Sequence, residues 1–291
     1  VNVRKHAFQL WNELRDVLPT QEHDGLFHLS SAMCAEHRTD ILGAKEHPSE
    51  MSIRGRLAAQ KPCRVISTQV VEAGVDLDFP VVFRALAPLD SIVQAAGRCN
   101  REGKLLDDRG NLNSGRVVIF QPEDAVVPPG IYKTATAVTA TLLHSVLKSL
   151  ATDERLFEKY FSSLFQLTDT DGKKIQADRK ELYFRTVAGK ARVIEDGRPV
   201  IVRYGRGKEL IDEITKRPLQ KGRSRFDRHD LRSLQRFMVN VREKDFSRYK
   251  SQKIISPLLY GLEIFVLEDG CYLESLGVVI DQRPIEDVCG A

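Results

Sequence analysis

Two stretches carry the side chains best suited to chemistry. The first runs Ser67-Thr68-Gln69-Val70-Val71-Glu72-Ala73-Gly74-Val75-Asp76-Leu77-Asp78, and the second runs Gln94-Ala95-Ala96-Gly97-Arg98-Cys99-Asn100-Arg101. In the first, an apolar run closes on hydroxyl and amide groups, followed by a glycine and two carboxylates. In the second, a Gly-Arg pair is followed by a further arginine three residues on, the spacing of one helical turn. A guanidinium is planar, forked and permanently charged, so two of them aimed at one place suit a phosphate.

The elements that must position these residues follow from the apolar pattern. Val3, Ala7, Leu10, Trp11, Leu14 and Leu18 recur at helical spacing before Pro19, with Trp11 on the buried stripe. Leu26–Ser30 reads as a short buried strand ending in the hydroxyls of Ser30 and Ser31. Helices are expected about Ala35–Lys45, Ser49–Gln60 and Ser91–Arg98, and strands at Arg64–Ser67, Val81–Arg84 and Arg116–Phe120. Short β-rich runs alternating with helices predict an α/β fold, a parallel sheet with helices on both faces. Ligands of such sheets sit outside the carboxyl ends of the strands, where Ser30, Thr68 and Gly74–Asp78 fall.

Gln121-Pro122 and Val127-Pro128-Pro129-Gly130 break the composition and mark a boundary. Beyond it, helices are expected over Ile131–Leu150 and Glu154–Phe165, then strands at Leu182–Val187, Ala191–Ile194 and Val200–Tyr204. A basic helix about Asp227–Arg236 and terminal strands at Leu262–Leu267 and Leu276–Ile280 complete a smaller α+β accessory domain.

The chain has 291 residues, 42% hydrophobic and 29% charged, which suits one large or two ordinary folded domains and argues against disorder. No apolar run approaches the roughly 20 residues that span a bilayer. Five cysteines without a CxxC pair point to reduced thiols in a cytoplasmic protein, and seven histidines without ligand spacing predict no metal site. Cys99 has no base beside it in the sequence and reads as a small packed thiol. From Lys216 to Lys253, thirteen Lys or Arg face four Asp or Glu, while the whole chain is only +4. That segment is either a polyanion-binding face or a solvated one. Its Phe226, Phe237, Phe246 and Tyr249 either stack on bases or anchor it to a core.

The wording of the two opening stretches resembles motifs V and VI of superfamily 2 helicases, and within them the CRISPR-associated helicase–nucleases of type I systems. Phe27-His28-Leu29-Ser30 is similar to motif IV, and Asn2-Val3-Arg4-Lys5-His6-Ala7 to the helix after the first strand of the second RecA-like lobe. The resemblance covers about residues 1–121. It implies a RecA-like lobe over 1–125 with its first strand missing or truncated, a helical linker region over 126–175 and the accessory C-terminal domain over 176–291. It also implies a split ATP site in which Arg98 and Arg101 are arginine fingers, with Gln94, Gly97, Gly74 and Asp76 near the nucleotide. Ser30, Thr68 and Gln69 would grip the backbone of single-stranded DNA. Many relatives carry Arg directly after the motif VI Gln, where this chain has Ala95.

No G-x-x-x-x-G-K-[ST] phosphate loop and no D-E-x-[DH] sequence is present. The phosphate loop and the Mg²⁺ carboxylates would therefore lie in another lobe, and this chain alone is expected not to hydrolyse ATP. His23-Asp24 and His229-Asp230 are HD dipeptides without matching ligand sets, so no nuclease site is expected here. The implied activity is ATP-dependent translocation on single-stranded DNA in antiviral defence. The implied partners are a guide-RNA effector complex and the nuclease and first motor lobe of the same protein, with no membrane. Rival readings are a lobe of another superfamily 2 helicase, acting on RNA or duplex DNA, and a non-catalytic nucleic-acid or protein-binding module. For single residues, local alternatives stand beside these. Ser30 and Thr68 could end strands by bonding nearby backbone, Asp76 and Asp78 could cap a loop, and Glu72 could contact a ligand or pair with an arginine of the second stretch.

Overall fold

A computed structural model of the chain describes residues 1–72, 74–124, 126–146, 154–191, 197–218, 225–281 and 283–285. The first elements in chain order are α1 (Arg4–Val17), β1 (Leu26–Leu29), α2 (Ala35–Leu42), α3 (Ile53–Ala58) and β2 (Arg64–Ser67). Next come β3 (Val81–Ala85), α4 (Leu89–Ala96), β4 (Arg116–Phe120), α5 (Ile131–Val146), α6 (Glu154–Leu167), α7 (Ile175–Lys180) and α8 (Phe184–Lys190). The last group is β5 (Gly197–Ile201), α9 (Arg206–Lys216), α10 (Arg228–Leu234), β6 (Met238–Arg242), α11 (Glu243–Ser251), β7 (Ile255–Pro257), β8 (Phe265–Leu267), β9 (Tyr272–Leu273), β10 (Gly277–Ile280) and β11 (Arg283–Pro284). The α/β class is present, with parallel pairs among many helices. No described helix is long and apolar enough to cross a membrane.

Contacts divide the chain into two units, and the division is not sequential. One gathers Val1 and Val3–Val71 with the described part of Asp196–Val288; the other gathers Asn2 with the described part of Glu72–Glu195.

In the first unit β1 and β2 pair in parallel, from Leu26 opposite Arg64 to Leu29 opposite Ser67. Ala7 and Trp11 of α1 bury against Leu26 and Ile66 of this pair and against Leu276 and Val279, so the tryptophan is a core residue. The C-terminal segment forms a four-stranded sheet of order β6-β5-β8-β7 and a three-stranded one of order β11-β10-β9. Its core takes in Ala32 and Cys34, both fully buried, from the loop that follows Ser30. That shared core is why the contacts assign 3–71 and the C-terminal strands to one unit. Phe237, Phe246 and Tyr249 of the basic segment are buried in the same core, so these rings anchor the segment. Several of its cations are also paired: Arg217 with Asp230 at 2.7 Å, Arg236 with Glu36 at 2.6 Å and Arg248 with Asp245 at 3.5 Å.

The second unit holds β3 and β4 in parallel, from Val81 opposite Arg116 to Ala85 opposite Phe120. Leu89 of α4 packs with Ala135 and Val138 of α5 and Leu156, Tyr160 and Leu164 of α6. The expected strand at Leu182–Val187 is instead the start of α8, separated from α7 by Leu182 with φ at 59°. A short apolar run such as Leu182-Tyr183-Phe184 does not distinguish strand from helix by periodicity, and here its side chains stay exposed rather than entering a sheet. Of the expected strand at Ala191–Ile194, residues 192–194 lie outside the described ones.

His28 of β1 and His37 of α2 are 3% and 2% exposed. Burial pushes both imidazoles down to about 4; His37 and then Arg4 add to the effect at His28, and a hydrogen bond with the Glu274 backbone and then Asp40 oppose it at His37. His37 Nδ1 meets Tyr272 Oη at 2.8 Å, and its ring stacks on Tyr204 at 4.1 Å. An unfolded imidazole takes up its proton near pH 6.5, whereas the folded one resists until about 4. The unfolded state therefore binds more protons in that window, and stability falls as pH falls through it. The loss is at most about 3 kcal/mol per histidine. Urea unfolding measured from pH 7 to 4.5 checks this, and His28→Phe should flatten the slope. A slope unchanged by that substitution would exclude His28 as its source.

Candidate nucleotide-facing site

The second unit brings most of the expected site residues together. Leu89, Ser91, Ile92 and Ala95 form the buried stripe of α4, which leaves Gln94 exposed on the opposite side. The helix stops at Ala96 with Gly97 as its C-cap. Arg98 and Arg101 therefore lie beyond the helix, which corrects the expectation that they stack one turn apart. Asn100 between them has φ at 47°, and its side chain fixes that turn by donating to Asn113 O and accepting from Leu105 N, both at 2.9 Å. The two guanidiniums consequently go to different partners.

Both partners belong to the loop 72–78. Phe79 and Cys99 form a bridge: Phe79 N donates to Arg98 O and Asn100 N to Phe79 O, each at 2.9 Å. Arg98 Nη2 donates to the Glu72 carbonyl at 3.0 Å, while its Nε is buried without a hydrogen-bond partner among the described residues. Arg101 pairs with Asp76 at 2.5 Å, and these side chains are 51% and 75% exposed. Asp78 accepts the backbone N–H of Arg101 at 2.8 Å and of Glu102 at 3.2 Å, and so caps that turn. Gly74 has φ at +76° with no atom near where a Cβ would stand. Asp76, Leu77, Asp78, Arg101 and Glu102 line an open depression of about 300 Å³. The Cys99 thiol meets the Pro80 carbonyl at 3.6 Å, and burial raises its pKa, as a packed thiol requires.

Glu72 pairs with Arg84 of β3 at 2.8 Å, not with an arginine of the second stretch. Burial raises its carboxyl above the usual range, and Arg84 opposes that shift. Arg84 is 3% exposed; it donates to Asn2 Oδ1 at 2.7 Å, to Ala85 O at 3.1 Å and to Tyr132 Oη at 3.3 Å. Reading the sequence missed this residue. The signal was a single cation inside the apolar run Val81-Val82-Phe83-Arg84-Ala85, since a buried charge demands a partner.

In the first unit Ser30 and Thr68 follow the paired ends of β1 and β2, and Thr68 N donates to Leu29 O at 3.3 Å. Ser30 is fully buried and its Oγ accepts from Ala32 N at 3.2 Å; Thr68 is 4% exposed, and Gln69 is half-buried. The hydroxyl of Ser30 thus holds the local turn in this conformation. Among the described residues, one cluster has metal-type ligands at close range: Asp227, His229 and Asp230. Asp227 caps α10 in a capping box with Asp230, whose carboxylate is also bidentate to Arg217, so helix geometry explains the cluster. His23 of the other HD pair bonds Leu18 O at 3.0 Å.

Residues 1–104 match the family described as CRISPR-associated nuclease/helicase Cas3, C-terminal. Over that stretch the chain is similar to the C-terminal part of the Cas3 family. It is 54% identical over 63 residues, 22% of its length, to the CRISPR-associated nuclease/helicase Cas3 of Haloferax volcanii. It is 28% identical over 123 residues, 42% of its length, to that of Methanothermobacter thermautotrophicus. These stretches span 6% and 13% of the two Cas3 proteins. The crystal structure of T. fusca Cas3–AMPPNP shares the fold, with a TM-score of 0.55 at 15% identity over 98% of this chain and 38% of that Cas3 chain. Both opening stretches lie within the part that matches the Cas3 family.

Proposed function

We propose that this chain supplies the arginine side of a split ATP site in a Cas3-type motor that moves along single-stranded DNA. The observation that carries the reading is the tie between the two opening stretches: Arg98 to Glu72, and Arg101 to Asp76 and Asp78. It sets both guanidiniums beside one loop and leaves Arg101 half-exposed at a depression of about 300 Å³. The solved T. fusca Cas3 with AMPPNP supports a nucleotide ligand. Arg101 and Arg98 fit a triphosphate as permanently charged forks, one with a loosely held partner and one with a buried, unused Nε. Asp76 would release Arg101 to phosphate, and Gln94, exposed on α4, would bond across the cleft. Gly74 and Gly97 would keep the loop and the helix end free of side chains.

When bound, ATP with Mg²⁺ would supply the γ-phosphoryl group on which charge develops during hydrolysis. The arginines would stabilise that charge. The phosphate loop and metal carboxylates would come from the part of a longer Cas3-type protein outside this chain. In the first unit, Gln69 would touch the DNA backbone beside the strand ends at Ser30 and Thr68, with a guide-RNA effector complex as the recruiting partner. The test is DNA-stimulated ATP hydrolysis by the full-length protein with Arg98 or Arg101 replaced by alanine, alongside single-stranded DNA affinity. Lost turnover with retained DNA binding supports the reading; wild-type turnover in both variants overturns it.

A further inference from the structure

Resting on the finger reading above, we propose that Arg84, acting through the Glu72 carboxylate, is the positioning residue of Arg98. The contact that aims Arg98 is made to a backbone carbonyl, that of Glu72, at 3.0 Å. Residue 72 belongs to neither a helix nor a strand, and the chain turns at Gly74 with φ at +76°. The place of that carbonyl is therefore set by what holds the Glu72 side chain. Arg84 Nη2 holds it at 2.8 Å, with both side chains under a tenth exposed, and Ser91 adds a side-chain hydrogen bond.

Arg84 is itself fixed by a polar network around its fork. Nη1 donates to Asn2 Oδ1 at 2.7 Å and Nη2 to Tyr132 Oη at 3.3 Å. Tyr132 Oη in turn donates to Asn2 Oδ1 at 3.0 Å, and Asn2 Nδ2 donates to Leu86 O at 2.8 Å. The chain of contacts thus runs from β3 and the first turn of α5, through the guanidinium and the carboxylate, to the carbonyl that receives Arg98. Arg84 Nε has no hydrogen-bond partner among the described residues, but both terminal nitrogens of the fork are bonded, and a buried network of this kind is costly to rearrange. An arginine loses much rotamer freedom when it is ordered, so a pre-set carbonyl removes that cost from the chemical step.

A double-mutant cycle in the full-length protein tests this. It compares the wild type, Arg84→Met, Arg98→Ala and the double variant for turnover, ATP KM, single-stranded DNA affinity and capture of ADP with aluminium fluoride. Glu72→Gln serves as a second route to the same break, because it keeps shape and a neutral hydrogen bond if Arg84→Met fails to fold. Either single change is expected to lower kcat and aluminium fluoride capture by about tenfold or more, with KM and DNA affinity nearly unchanged. In the Arg98→Ala background neither change should lower kcat further. Losses that multiply with the Arg98 loss, or wild-type kcat in both single variants, overturn the positioning role. Wild-type kcat in Arg98→Ala overturns the finger reading itself, so the two failures are told apart.

Discussion

Arg98→Ala in the full-length protein is expected to reduce DNA-stimulated ATP turnover on the order of 10³-fold, the lower range for an arginine finger. Arg101→Ala should cost a comparable amount, while the KM for ATP changes little, because a finger acts on charge that develops after the substrate is bound. The two arginines should differ in their response to their partners. Arg101 is held by Asp76 in a pair that is half-exposed or more on both sides. Such a surface pair contributes about 1 kcal/mol at most, so phosphate can displace it at small cost. Asp76→Asn should therefore lower turnover far less than Arg101→Ala. Arg98 is held by a carbonyl that no substitution at residue 72 removes, yet its aim depends on the Arg84–Glu72 pair. Lysine at either position keeps the charge but loses the fork, and should recover only part of the rate. Steady-state phosphate release at saturating single-stranded DNA measures all of these, and Arg98→Lys with full turnover would reduce the finger to a point charge.

What the sequence disclosed and what it hid have physical reasons. The helix at Arg4–Val17 and the strands at Arg64–Ser67 and Arg116–Phe120 were legible because each has one apolar period, ended by Pro19, by the hydroxyls after Ile66 or by Gln121-Pro122. The chemical residues of the second stretch were legible as types but not as geometry. Their three-residue spacing matches a helical turn, and only the early stop at Gly97 and the left-handed Asn100 send Arg98 and Arg101 apart. Arg84 was hidden because one cation in an apolar run looks like an edge residue until its three partners distant in sequence, Glu72, Asn2 and Tyr132, are known. Equally hidden was the partnership of Ala32 and Cys34 with the C-terminal strands, about 240 residues away in sequence, since no local period records a shared core. The aromatics of the basic segment could have stacked on bases or filled a core, and burial decided for the core at Phe237, Phe246 and Tyr249.

That long-range core gives the last prediction, at Gly277. This residue opens β10 with φ at +79°, and a Cβ built on it would stand 2.4 Å from the carbonyl oxygen of Ala32. The contact is with backbone, so no flexible side chain can yield. The neighbouring Val278 N donates to the same Ala32 carbonyl at 2.9 Å, so relieving the clash would break that bond as well. Gly277→Ala therefore combines left-handed backbone strain with overpacking, and should destabilise the first unit by about 3 kcal/mol or more. Gly270 is the matched comparison: its φ is +87° and nothing lies within 4 Å of a built Cβ. Gly270→Ala should pay the backbone part alone, about 1–2 kcal/mol. Urea unfolding of the two variants isolates the difference. If the difference is present, the C-terminal strand is what seats the turn that Ser30 holds; equal destabilisation would mean that the turn after Ser30 moves aside freely, and that the strand does not fix it.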